Sequence, residues 1–229
     1  MPHRDEALIK IENLHYAYPR RDAVLKEINF SLYAGERVVI NGDNGAGKTT
    51  LLHLIVGLKK AKQGDIIALG EVCKTEKQFN KLRAKVGLLF QDPDDQLFCP
   101  TVLEDVMFGP LNLGFSKQQA IEKSLATLNS LGLQGFESRI THQLSGGEKR
   151  MVTLASVLVM EPDVLMLDEP TNALDEKAKQ RLLHVLQALP QAMIIISHDK
   201  VFTEQLVTRN LYLQNGHLVA SQQKRIAVA

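Results

Sequence analysis

The sequence predicts an α/β fold in which a largely parallel sheet carries the chemistry. Three observations predict it. Val38-Val39-Ile40 reads as a buried strand, runs into a glycine loop at residues 42–49, and is followed by a helix-like stretch, Thr50 to Gly57. Val164 to Leu167 and Ala192 to Ile196 are further short apolar runs of strand length. Between these blocks, from Gln91 to Gln143, the pattern turns helical and more polar and is punctuated by Pro93, Pro100, Pro110 and Gly114.

The loop Gly42-Asp43-Asn44-Gly45-Ala46-Gly47-Lys48-Thr49 fits G-x-x-x-x-G-K-[ST]. Gly42, Gly45 and Gly47 let the backbone curl so that successive N–H groups cradle a phosphate. The helix N-terminus adds partial positive charge, Lys48 a full one, and the Thr49 hydroxyl is placed to ligate Mg²⁺. Chance supplies only ~0.01 such matches in a chain of this length.

Ahead of the loop, Leu8 to Tyr18 and Val24 to Tyr33 read as an antiparallel pair, with turn chemistry in Pro19-Arg20-Arg21-Asp22. Ile66 to Leu69 is a short strand, Gln78 to Lys85 a short basic helix, and Val86 to Phe90 a buried strand. Glu176 to Leu189 shows one apolar helix face, and Asn215-Gly216 between Leu211–Leu213 and Leu218–Val219 marks a hairpin. The tail from Ser221 reads as polar and frayed.

Bulk properties exclude several classes. With 27 basic and 26 acidic residues in 229, no global field argues for nucleic acid or anionic lipid. Two cysteines, Cys73 and Cys99, give neither a metal spacing nor a disulfide framework. Met1 to Lys10 carries four charges and lacks a signal-peptide apolar stretch, and Met151 to Met160 is too short to span a bilayer. A membrane role therefore has to run through a partner.

Two further stretches carry chemistry. Val164-Leu165-Met166-Leu167 delivers Asp168 and Glu169 at a strand's C-terminal end, the ligand edge of an open parallel sheet. Asp168 would hold Mg²⁺, and Glu169 would orient and deprotonate an attacking water. In Leu144-Ser145-Gly146-Gly147-Glu148, Ser145 and Glu148 have capping-box spacing, so a helix runs from about Gly146 to Met160 and its N-terminus is a second anion site.

Leu144 to Glu148 resembles the signature motif of ATP-binding-cassette ATPases, and the resemblance covers Leu8 to about Ala220 with the motifs in the family's order. Gly42 to Thr49 looks like its Walker A motif, with Thr50 following, and Val164 to Asp168 like Walker B with Glu169 as catalytic carboxylate. Gln91 looks like the Q-loop glutamine, which in the family reaches Mg²⁺ and the attacking water. Asn172-Ala173-Leu174-Asp175 is similar to the D-loop, His198 to the switch histidine at the γ-phosphate, and Tyr18 to the aromatic that stacks on adenine, with Tyr16 as competitor. The departures are Asn41 and Asp43 beside Walker A, Ala173 in the D-loop and Glu176 after it.

The resemblance implies a single nucleotide-binding domain over residues 1–229. Its P-loop NTPase (RecA-like) core, at about 1–90 and 161–220, carries an N-terminal antiparallel β subdomain and a helical subdomain inserted at about 91–160. It also implies ATP and Mg²⁺ as ligands. Two subunits would sandwich ATP head to tail between the P-loop of one and Ser145-Gly146-Gly147 of the other, as a homodimer or with a paralogous ATPase.

Phe90 to Phe98, Phe108 to Gly114, His142-Gln143, Glu148-Lys149-Arg150 and Val157 to Pro162 resemble the energy-coupling-factor importers in particular. There Asp94-Asp95-Gln96 looks like the start of a short helix facing the membrane partner. That branch implies a membrane coupling protein, a substrate-capture protein and a place at the cytoplasmic face of the membrane. The cargo would be cobalt or nickel ions, with biotin or another vitamin as the alternative. A soluble cassette ATPase acting on nucleic acid or ribosomes is the competing class, but no basic stripe with interleaved aromatics supports it.

Overall fold

The computed structural model describes residues 6–20 and 22–220. The expected tail from Ser221, and Arg21 in the first turn, lie outside the described residues.

Strands β1 (Ile9–Ala17) and β2 (Ala23–Leu32) pair antiparallel, Ile9 opposite Leu32 and Ile11 opposite Phe30. They join β4 (Gln63–Ala68) and β5 (Glu71–Val72) in a four-stranded sheet of order β2-β1-β4-β5. A six-stranded sheet is built from β3 (Arg37–Gly42), β6 (Val86–Leu89), β7 (Val164–Asp168), β8 (Ala192–Ile196), β9 (Arg209–Gln214) and β10 (His217–Ala220). Its order is β10-β9-β3-β8-β7-β6, and all neighbours are parallel except the β9–β10 hairpin. Asn215 and Gly216, at φ 52° and 86°, supply the positive-φ turn that joins that hairpin.

Alternation along the strands divides the core. Val38, Ile40, Val164, Met166, Ile194 and Ile196 face the four-stranded sheet and helix α1 (Lys48–Ile55). Val39, Leu165, Leu167, Met193 and Ile195 face the opposite way. There they meet α5 (Gly146–Leu158) and α6 (Glu176–Ala188). The central strands are therefore buried on both faces and read as unbroken apolar runs rather than alternating ones.

Between β6 and β7 lie α3 (Val102–Asn112) and α4 (Lys117–Ser130), as the helical texture of residues 91–143 foretold, and α5, as the capping-box spacing of Ser145 and Glu148 foretold. Each begins with a reciprocal capping box: Thr101 with Glu104, Ser116 with Gln119, Ser145 with Glu148. Two elements differ from the sequence reading. Asp94 and Asp95 belong to a single 3₁₀ turn, Pro93–Asp95, capped by the Asp92 carboxylate, because these helix-start residues are followed by no apolar face to sustain a helix. Helix α2 (Glu76–Arg83) starts two residues early, because Thr75 and Gln78 form a capping box. A short α7 (Lys200–Glu204), capped by Asp199, has no apolar periodicity to announce it.

Register places the chemistry. Val39 pairs with Ile195, Ile195 with Leu167, and Leu167 with Leu89. The residues just beyond that row are the glycine loop, Ser197-His198, Asp168-Glu169 and Phe90-Gln91. One sheet edge thus gathers four segments far apart in sequence, as the carboxyl edge of a parallel sheet does.

Candidate active site

Lys48 begins α1, so the last residues of the glycine loop are already helical. Gly47, at φ 106°, is the left-handed residue before it, and a Cβ there would lie 2.7 Å from Val24 Cγ1. Gly42 passes so close to β9 that a Cβ would meet the Leu213 carbonyl oxygen at 2.5 Å. The Lys48 side chain is buried, and its Nζ donates to the carbonyls of Gly42 at 2.7 Å and Asp43 at 3.0 Å. His198 Nε2 lies 3.4 Å from that ammonium and 3.4 Å from Glu169 Oε1. One ring nitrogen thus faces both the ammonium and the carboxylate.

Glu169 sits at φ 44°, an uncommon conformation for a residue with a Cβ. Its amide donates to the Ile196 carbonyl, and its Oε2 accepts from the His198 amide at 3.2 Å. Asp168 is 3% exposed. Burial pushes its carboxyl up, while the Thr49 hydroxyl and the charges of His53, Lys48 and Arg150 pull it back. Asp168 Oδ1 and Glu169 Oε1 are buried and lack a hydrogen-bond partner among the described residues. Asp168 Oδ1, beside the Thr49 hydroxyl, is the kind of hard donor Mg²⁺ takes. No cluster of three or more His, Cys, Asp or Glu suited to a metal occurs among the described residues.

These groups border one cleft of about 890 Å³. Tyr18, Asn44, Gly45, Gly47, Lys48, Thr49, Thr50, Gln91, Asp168, Glu169 and His198 all line it. Tyr18 donates to or accepts from the Thr50 hydroxyl at 2.9 Å, with Lys59 Nζ 5.2 Å from its ring centroid. Its competitor Tyr16 packs against the core instead. Asp43 and Ala46 line an adjoining groove, where the Tyr212 hydroxyl donates to the Asp43 carboxylate at 3.2 Å.

Two expected groups stand apart. None of Leu144, Ser145, Gly146, Gly147 and Glu148 lines the cleft. Glu148 Oε2 accepts from the Ser145 amide at 2.9 Å and its hydroxyl at 2.8 Å, while Oε1 accepts from Arg139 at 2.9 Å. Asp175 caps α6, accepting from the Ala178 amide at 2.8 Å, while Asn172, Ala173 and Leu174 reach the cleft. Sequence reasoning passed over Lys179, which lines the cleft and pairs with Asp199 at 2.9 Å, and gave Arg150, buried behind Gln91, no role beyond the branch resemblance. Lys179 follows the Asp175 cap by one helical turn, but a lone surface-type lysine gives no motif to read.

A glycine loop cradling a lysine, opposite two carboxylates at the end of a neighbouring parallel strand, defines a P-loop nucleotide hydrolase. Comparison narrows the class. The ABC transporter family model matches residues 25–172. An ABC transporter ATP-binding protein of Brucella suis is 57% identical over 202 residues, covering 88% of this chain and 84% of its own. The energy-coupling factor transporter ATP-binding protein EcfA of Methanothermobacter thermautotrophicus is 41% identical, over 93% of this chain and 70% of its own. The structure of cbiO1 from Clostridium perfringens, part of the ABC transporter complex cbiONQ, superposes with a TM-score of 0.83 at 34% identity, over 94% of this chain and 88% of that one. The cassette MJ0796, a dimer in a post-hydrolysis state with ADP and Pi, superposes at 0.82 with 26% identity, over 92% of this chain and 96% of that one. The chain belongs to the ABC transporter family of ATPases. It is an ATP-binding, ATP-hydrolysing cassette with an α/β P-loop NTPase fold.

Proposed function

We propose that the chain is the ATP-hydrolysing motor of an energy-coupling-factor importer, working at the cytoplasmic face of the membrane through membrane partners. The observation that carries the ATPase half is the convergence of Lys48, Gln91, Asp168, Glu169 and His198 on one cleft. The importer half rests on similarity to EcfA and cbiO1. A surface next to the 3₁₀ turn supports it. Phe98 and Phe108 are 65% and 45% exposed and meet edge to face at 4.8 Å. An exposed aromatic pair of this kind suits a docked partner helix.

Within this reading, Tyr18 stacks on adenine, and the backbone from Gly42 to Thr50 wraps the phosphates. Thr49, Gln91 and Asp168 would hold Mg²⁺, which neutralises charge on the phosphate oxygens when bound. Glu169 accepts a proton from water as the water oxygen bonds to the γ-phosphorus and the bond to ADP breaks. His198, held by the Glu169 carboxylate and close to Lys48, contacts the transferred phosphoryl group. Ser145, Gly146 and Gly147 lie outside this chain's cleft, so they act on the nucleotide of a second subunit, a copy or a paralogue. Asp175 holds the D-loop at that junction by capping α6. The whole of residues 1–229 acts as one nucleotide-binding domain, with a core at about 1–90 and 161–220 and a helical part at about 91–160. The cargo we favour is cobalt or nickel ions, with a vitamin such as biotin as the alternative.

The test is a pull-down of tagged Glu169→Gln protein from detergent-solubilised native membranes, with mass spectrometry of what comes with it. A polytopic coupling protein and a small substrate-capture protein are expected, and the capture protein's ligand identifies the cargo. Recovery of soluble partners, ribosomes or DNA alone would overturn the importer and leave the ATPase.

A further inference from the structure

Arg150 is the largest fully buried side chain, 1% exposed, and none of the motif roles above accounts for it. It lies on α5, five residues beyond Ser145. Its two terminal nitrogens donate to successive carbonyls, Nη1 to Phe90 and Nη2 to Gln91, each at 2.6 Å. A planar guanidinium reaches two acceptors at once, which an ammonium does not. The neighbouring contacts run the same way. Lys149 Nζ pairs with Asp94 at 2.6 Å, and Gln96 Oε1 accepts from the Phe90 amide at 3.2 Å while its amide faces Thr153 and Ser156 on α5. Residues 90–96 are thus fastened to the helix whose N-terminus is the signature stretch.

We infer that Arg150 is a positioning residue that fixes the Gln91 backbone to the signature helix, so that Gln91 in one ATP site and Ser145–Gly147, presented to the other, move as one body. This rests on the reading of Gln91 as a group of the ATP site. A change felt by either segment then reaches the other through two hydrogen bonds rather than through the β6 strand. Burial pulls the guanidinium down to about 10, opposed by the charges of Asp92 and Asp168, so it stays charged at neutral pH.

The test is a double-mutant cycle on ATP turnover with Gln91→Ala, Arg150→Lys and the pair. Lysine keeps the charge and loses the fork. Each single variant is expected to lower kcat about tenfold, with the Kd for ATP held within about threefold. Because Arg150 acts through Gln91, the double variant is expected to lose no more than Gln91→Ala, within about twofold. Losses that multiply, or normal turnover in Arg150→Lys where Gln91→Ala is impaired, would overturn the inference. Normal turnover in Gln91→Ala would instead overturn the reading of Gln91. Hydrogen exchange on the chain with its native Arg150 keeps the inference open to refutation should Arg150→Lys not fold. In Glu169→Gln protein, Mg-ATP is expected to change protection of residues 90–92 and 146–152 together, and a change in one segment alone would overturn it.

Discussion

Glu169 and Asp168 are adjacent carboxylates with different surroundings. Glu169 Oε1 is buried, unbonded among the described residues, and faces His198, so its lone pairs remain for a water proton. Glu169→Gln should lower turnover by about 10²–10⁴-fold and leave nucleotide binding intact, read by steady-state hydrolysis beside equilibrium titration. Asp168 makes a different prediction. Burial raises its folded pKa above the ordinary 3.8. Between those two values the folded chain binds more protons than the unfolded one, so stability falls as pH rises through that window, and the penalty is complete above it. Asp168→Asn should therefore raise the melting temperature at neutral pH by about 2–4 °C while removing Mg²⁺-dependent hydrolysis. The gain should shrink as pH falls toward 3.8, measured by thermal melts across pH without nucleotide. A lower melting temperature at neutral pH would mean that the carboxylate's bonds outweigh its desolvation.

At the scale of elements, the signature helix couples stability to chemistry. Ser145 and Glu148 satisfy each other's backbone amides at the N-terminus of α5. Ser145→Ala should cost about 1 kcal/mol, a fall of about 2–4 °C in melting temperature, even without ATP. Loss of activity with no thermal shift would show that the serine acts on nucleotide alone. This capping box was legible in the sequence because its spacing is local. So were the strands β3, β7 and β8, whose apolar runs are buried on both faces, and the glycine loop. Two features were not legible. The 3₁₀ turn at Pro93–Asp95 carries helix-start residues with no apolar face to sustain a helix. The burial of Arg150 leaves no trace in Glu148-Lys149-Arg150, because the Phe90 and Gln91 carbonyls that hold it lie some sixty residues away. Contacts of that range leave no mark on periodicity or propensity.

At the scale of the whole molecule, none of Ser145, Gly146 and Gly147 lines the cleft. In the head-to-tail arrangement proposed above, the helix N-terminus at Ser145–Gly147 serves the phosphate of a second subunit. No helix among the described residues is long and apolar enough to cross a membrane. The importer proposed above would work on the membrane through contacts that change with the nucleotide. ATP shifts such an equilibrium only by binding the closed pair more tightly than the open one, and slow hydrolysis lets that preference show. Glu169→Gln protein with Mg-ATP should therefore sediment as a dimer, and the same protein with ADP as a monomer, by analytical ultracentrifugation. Adding Ser145→Arg to that variant should return it to monomer while each chain still binds one nucleotide, because the arginine obstructs the interface and leaves the chain's own P-loop untouched. A monomer under every condition would remove the homodimer and leave pairing with a paralogous ATPase. A dimer insensitive to Ser145→Arg would mean that the subunits meet through another face.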